Sequence, residues 1–372
     1  LIVIAGEDAG QSHQLNQELA DFGLEWQVDW IPVAGATDFS ARAADVVVTD
    51  LDSHGSQVLA ELRAEYPHAV RILMLEPGQG GNAIHALDAA HRVLRKPLDA
   101  GELVDAVESV ADLRLLLDNE ELKRTIGQIE SLPPAPRMYI ELVQLMRDPD
   151  VSMADIAYVL SQDPALAAKV LRLCNSAFFS AGREITDIRS AVTRLGMGML
   201  RQLVLASEAF GGSVGSDDIE REAMQQRALA TSQLAGKLLA GPSAELAETA
   251  GLLAEVGLLM PGIGDIEGDR EPGGDGTVAV IQPGGPGFAE AGAYLLGLWG
   301  LPTPIVEAVA HQSRPRRMRS SGFWVTGAVH VATALVRGTP VDESYLHSVG
   351  MLDKLPQWQE MAEKIGAQLK AA

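Results

Sequence analysis

The 372-residue sequence predicts an α/β doubly wound, five-stranded parallel sheet followed by an all-α region. Up to about residue 115, short apolar runs alternate with amphipathic helical stretches, the pattern of a parallel sheet covered on both faces. From Met138 onward the hydrophobic period is helical almost throughout, apart from Thr277 to Ile281. Between the two stands Leu132-Pro133-Pro134-Ala135-Pro136, where successive prolines stop one helix and begin a new segment.

The strands are read in order. Leu1-Ile2-Val3-Ile4-Ala5 opens the sheet; Trp26 to Val33, Asp45-Val46-Val47-Val48-Thr49, Val70 to Leu75 and Arg92-Val93-Leu94 supply the rest. Ala100 to Leu113 is the helix that follows the last strand. Function in such sheets gathers at the carboxyl ends of the strands, which directs attention to Asp50 and to Lys96. Residues Leu115 to Ile129 can be threaded on a heptad with Leu115, Leu122 and Ile129 at one core position and Asn119 and Ile126 at the other. That would allow a parallel homodimer through 115–129 in a register set by the Asn. A connecting helix packed on its own chain accounts for the same pattern.

In the helical region, Tyr139, Leu142, Val143 and Met146 form one apolar stripe, and Ile156, Val159 and Leu160 another. Asp163-Pro164 starts the next helix, with Asp as cap and Pro in the first turn. Cys174, the single cysteine, sits in the run Val170-Leu171-Arg172-Leu173-Cys174 and reads as a small core residue in a reducing compartment. Asn175-Ser176 at that helix end lacks a neighbouring His–Asp pair to activate the serine, so capping explains it better than catalysis. Pro261 to Gly287, rich in Gly, Pro and acidic residues, reads as a surface insertion, with a lid or docking loop as the functional alternative. The expected division is 1–114, a linker over 115–131, and 132–372.

The formal charge of −21 argues against nucleic-acid binding, which demands clustered Lys and Arg. Arg314-Pro315-Arg316-Arg317-Met318-Arg319 is a short exception best read as a solvated loop. No apolar run approaches the roughly 18 residues of a membrane span, and a cytosolic protein is expected.

The first third resembles a response-regulator receiver domain, a flavodoxin-like fold, on Val46-Val47-Val48-Thr49-Asp50-Leu51 and Val93-Leu94-Arg95-Lys96-Pro97-Leu98, with Glu102-Leu103 in the last helix. The resemblance implies that Asp50 is the phosphoacceptor and that Lys96 contacts the phosphoryl group. Phosphoryl transfer needs Mg²⁺, normally held by two acidic residues just after the first strand. Those positions hold Ala5 and Gly6, with Glu7 and Asp8 one step late. Leu75 or Glu76 replaces the switch hydroxyl, Val93 replaces the switch aromatic, and the loop after Asp50 is shortened. The expectation is a pseudo-receiver, with Mg²⁺ implicated only if Glu7, Asp8 or Asp52 restores the metal site.

The remainder resembles the HDOD domain, a relative of the HD phosphohydrolases. The resemblance rests on Leu132 to Pro136, on Asp163 to Phe178, on Ala191-Val192-Thr193-Arg194-Leu195-Gly196, and on Gly292 to Pro302. In the metal enzymes a helix reads Gly-Leu-Leu-His-Asp-x-Gly; here it is Gly251-Leu252-Leu253-Ala254-Glu255-Val256-Gly257. The helix that would supply an earlier His reads Gln225-Gln226-Arg227-Ala228-Leu229, another His position is Phe288, and a His-His pair is reduced to His311-Gln312. One His, one Glu and Asp265 do not make a metal shell, so neither a metal nor another cofactor is expected. His311 reads as an exposed helix-end residue and His330 as a hydrogen-bonded core histidine.

The two resemblances together imply a non-catalytic bacterial signalling protein whose HDOD output domain binds a protein partner. A cyclic-dinucleotide enzyme is one candidate partner and a histidine kinase another. The rivals are a phosphorylation-switched response regulator using Asp50 and a divergent HD-type metal phosphohydrolase using Glu255 and His311.

Overall fold

The computed structural model describes residues 1–5, 10–21, 26–32, 44–50, 69–76, 90–114, 151–175, 184–208, 218–260, 287–317 and 322–371. Residues 24, 59, 61, 123, 126, 127, 129, 142 and 145 are described individually. Five strands, β1 (Ile2–Ala5), β2 (Val28–Ile31), β3 (Val46–Asp50), β4 (Val70–Leu75) and β5 (Arg92–Arg95), pair in the order β2-β1-β3-β4-β5, all parallel. Strands buried on both faces need no polar alternation, which is why Val46-Val47-Val48 and Ile72-Leu73-Met74 are continuous apolar runs at 2% exposure or less. The second strand is shorter than the expected Trp26 to Val33, because pairing with β1 extends only from Val28 to Ile31. Helix α1 (Gly10–Asp21) packs on β2, and α2 (Ala100–Arg114) follows β5.

The helical region contains α3 (Met153–Leu160), α4 (Pro164–Asn175), α5 (Ile188–Glu208), α6 (Asp218–Leu238) and α7 (Pro242–Leu253). A 3₁₀ turn over Val256–Leu259 leads to α8 (Phe288–Leu298), α9 (Thr303–His311), α10 (Val325–Arg337), α11 (Glu343–Ser348) and α12 (Leu355–Ala371). Their starts follow capping chemistry. Ser152 and Asp155 form a reciprocal capping box on α3, and Asp163 Oδ1 accepts from the Leu166 N–H at 2.9 Å to begin α4. Asn175 ends α4 as a clamp: its amide donates to Leu171 O and Ile185 O, and its oxygen accepts from the Ile185 N–H. Cys174 is fully buried, and burial pushes its thiol up to about 11, leaving it inert at neutral pH. Gly196 (φ 71°) interrupts α5 with a conformation that favours glycine.

Ile126 is fully buried within this chain, the packed-connector arrangement at that residue; Leu115, Asn119 and Leu122 of the heptad pattern lie outside the described residues. So do Glu7, Asp8, Asp52, Leu132 to Pro136, Ser176, Asp265 and all of the 261–286 segment. Among the described residues, no helix is long and apolar enough to cross a membrane.

Gly127 is anchored by a buried polar knot. Arg71 Nη2 donates to Gly127 O at 2.7 Å, and His91 Nε2 lies 3.3 Å from the same oxygen. His91 Nδ1 accepts from the Arg71 N–H at 3.2 Å, and Arg71 Nη2 lies 3.0 Å from His91 Nε2. Burial, reinforced by Arg71, Arg172 and Arg92, holds the His91 pKa well below its usual value. In the unfolded chain the same imidazole titrates near the usual histidine value of about 6.5. The unfolded state therefore takes up a proton first as pH falls. The His91 contribution is intact above about pH 6.5 and is lost by up to roughly 1.4 kcal/mol per pH unit below it, until the folded-state pKa is reached. A thermal-melt series from pH 7.5 to 5 is expected to fall more steeply for the native chain than for His91→Gln.

Candidate functional site

Among the described residues, two clusters of chemistry-bearing side chains stand out, one in the sheet and one in the helical region. At the carboxyl edge of the sheet, Asp50 ends β3 and Lys96 follows β5, with Lys96 Nζ 2.9 Å from Asp50 Oδ2 and 3.4 Å from Glu76 Oε1. Parallel register makes this meeting: β3 and β5 flank β4, and all three end on one edge. Burial alone would lower the Lys96 pKa, but Asp50 and Glu76 outweigh it and raise it, so the ammonium is firmly charged. Glu76 stands immediately after β4, where the switch hydroxyl would stand, and binds the lysine instead. Ala5, the end of β1, is fully buried and has no ligating atom to offer a metal.

The second cluster lies in the helical region, at the Gly251–Gly257 phrase. Both glycines are demanded by close packing. A Cβ on Gly251 would come within 3.1 Å of Thr231 O and Ser232 Cα on α6; one on Gly257 would come within 1.9 Å of Phe288 O. Between them, Ala254 has become the cap of α7, and Gln312 Nε2 donates to its carbonyl at 2.6 Å. Glu255, only 1% exposed, is held on both sides by guanidinium groups. Arg227 of α6 donates through Nε and Nη2 to Oε2 at 3.0 Å each, and Arg337 of α10 donates through Nη1 to Oε1 at 2.7 Å. Arg337 also lies over the Phe288 ring, 4.8 Å from its centroid. Arg227 is one-third exposed and lines a cleft of about 730 Å³ between α6, α10 and α12, together with Leu335, Gln359 and Glu363.

Three of the degenerate metal-site positions, Ala254, Glu255 and Phe288, thus converge, and Gln312 is tied to them through a backbone carbonyl. What occupies the middle is positive charge carried by side chains. A guanidinium has no lone pair to give a metal and repels a cation, so this donor set does not fit a divalent ion. Among the described residues, no group of three or more His, Cys, Asp and Glu is arranged to hold one.

His311, expected exposed, is half-buried in a helix that packs against α7, α8 and α10; burial and Arg317 lower its pKa. His330 is buried, with Nδ1 2.6 Å from Gln312 O and Nε2 accepting from the Asp342 N–H at 3.0 Å. That arrangement assigns the proton to Nδ1 and gives His330 a bracing role under Gln312. From the basic run, Arg316 is engaged by Asp342 through two hydrogen bonds, so this arginine is a structural tie between the turn after α9 and the start of α11.

The fold and the two clusters define a five-stranded parallel sheet, consistent with a receiver-like domain, joined to a helical region of HD-related build. Residues 132–262 match the family model described as HDOD domain, so this chain carries an HDOD domain there. A curated protein of Treponema pallidum (strain Nichols), described as uncharacterized, is 30% identical over 202 residues, half of this chain and 39% of that protein. The chain therefore spans about two-fifths of that relative's length. Among solved structures, the MmoQ response regulator from Methylococcus capsulatus str. Bath is 22% identical (TM-score 0.46; 62% of this chain, 98% of that one). An HDOD domain protein from Geobacter sulfurreducens is 18% identical (TM-score 0.31; 72% of this chain, 98% of that one).

Proposed function

We propose that this protein is a non-catalytic signal-transduction protein. A receiver-like domain over 1–114 and a linker over 115–131 control an HDOD output domain over 132–372 that acts by binding another protein. The observation that carries the reading is the Arg227–Glu255–Arg337 triad, which fills the HD position with charges incompatible with a hydrolytic metal. A fold kept intact around a centre that cannot ligate a metal is of use as a binding surface. An enzyme of cyclic-dinucleotide turnover is the candidate partner on the strength of the HD kinship, and a histidine kinase the candidate upstream partner. Purified protein is expected to carry far less than one equivalent of Fe or Mn by elemental analysis and to leave cyclic dinucleotides intact. Stoichiometric metal with turnover would overturn the proposal.

A second reading is favoured by one contact, the 2.9 Å pair between Lys96 and Asp50 at the carboxyl edge. Retention of that pair supports a phosphorylation-switched response regulator in which Asp50 is the acceptor and Mg²⁺ the required ion. Intact-mass measurement after incubation with acetyl phosphate and Mg²⁺, beside Asp50→Ala, separates the two. The pseudo-receiver reading expects no adduct on either protein; an adduct absent from the variant establishes the switch.

A further inference from the structure

The sheet and the helical region meet at the edge of the sheet opposite Asp50. Arg92, the first residue of β5, sends its guanidinium into the end of α8, donating from Nε to Leu298 O at 3.1 Å and from Nη2 to Gly297 O at 2.8 Å. The end of α8 is shaped for this. Gly300 (φ 77°) closes a Schellman turn, with its N–H on Gly297 O and the Leu301 N–H on Leu296 O. A Cβ on Gly300 would lie 2.7 Å from Arg92 Nη1. A cation at a helix C-terminus also meets the negative end of the helix dipole.

A second arginine crosses in the other direction. Arg172 of α4 donates to Ala90 O, just before β5, at 2.6 Å, and lies 4.6 Å above the ring of Trp299, the C-cap of α8. Helix α2 packs against α8 as well.

The other end of α8 belongs to the guanidinium cluster. Phe288, its first residue, carries Arg337 on its ring, and its carbonyl abuts Gly257, two residues from Glu255. One turn on, a Cβ on Gly292 would meet the Gly257 nitrogen at 3.0 Å, so the helix lies flush on the 3₁₀ turn. All of α8 except Glu290 is buried. A close-packed helix moves as a body rather than bending, because packed interiors do not deform continuously.

We propose that α8 is a coupling strut: its C-terminus docks the receiver-like domain through Arg92, its N-terminus closes the Arg227–Glu255–Arg337 cluster, and release of one end loosens the other. The inference stands apart from whether the output is protein binding. Hydrogen-exchange mass spectrometry on the full chain tests it, comparing the native protein with Arg92→Ala and the milder Arg92→Lys. The expected result is faster exchange not only at 296–301 but also at 254–259 and 288–292, by about tenfold in the alanine variant, as local opening becomes less costly. Linkage makes the coupling reciprocal, so Arg337→Met is expected to speed exchange at 90–95. Faster exchange confined to 90–95 and 296–301, with 254–259 and 288–292 unchanged, would overturn the strut. If Arg92→Ala accelerates exchange everywhere, α10 included, Arg92→Lys is read by the same criterion.

Discussion

Replacing Glu255 with Gln is expected to lower the unfolding free energy by about 3–5 kcal/mol, the usual cost of removing one partner from a buried ion cluster. The glutamine keeps the shape but leaves two guanidinium groups facing each other with no carboxylate between them. Arg337 is only 10% exposed and cannot turn to water, whereas Arg227, at 34%, can relax into the cleft. Arg227→Gln should accordingly cost less than Arg337→Gln. Chemical denaturation of the three variants checks both the size and the order; a Glu255→Gln protein as stable as the native one would remove the triad from the structural account.

Gly257→Ala is expected to be at least as damaging. Its Cβ would sit 1.9 Å from the Phe288 carbonyl oxygen and 2.7 Å from the carbonyl carbon, both backbone atoms of a buried helix start. No side-chain rotation relieves that overlap, so α8 or the 3₁₀ turn must shift. The cost is expected at or beyond the roughly 3 kcal/mol upper end of ordinary overpacking. Gly366→Ala, on the half-buried face of α12 with open space around a new Cβ, is the matched control and should be neutral or slightly stabilising. Thermal melts of the pair distinguish a packing requirement from a general sensitivity to glycine loss.

The sheet was legible in the sequence because burial on both faces leaves a signature that short apolar runs carry by themselves, and β4 spans the expected Val70 to Leu75. The pairing of Asp50 with Lys96 was legible too, since parallel strands end on one edge. The guanidinium cluster was half legible. The loss of His and Asp at Ala254 and Glu255 could be read, yet Arg227 registered only as a residue in a stretch without histidine. Arg337 lies 82 residues from Glu255, and no local pattern links them. The docking arginines were equally hidden, although Arg172 carried a signal: a cation within the apolar run from Val170 to Cys174 needs a buried partner. That partner is a backbone carbonyl 82 positions away, which periodicity does not reveal.

The triad also bears on how such a centre can change over time. Two arginines are written into the chain, so Glu255 carries its counter-charges within the fold itself. The same packing disfavours single changes toward metal ligands. Putting His at 254 or Asp at 255 while Arg227 and Arg337 remain would set a new ligand among cations, losing stability before any ion could bind. The two arginines and Glu255 are therefore held as a set by their own packing, and change is cheaper on the surface than at this centre.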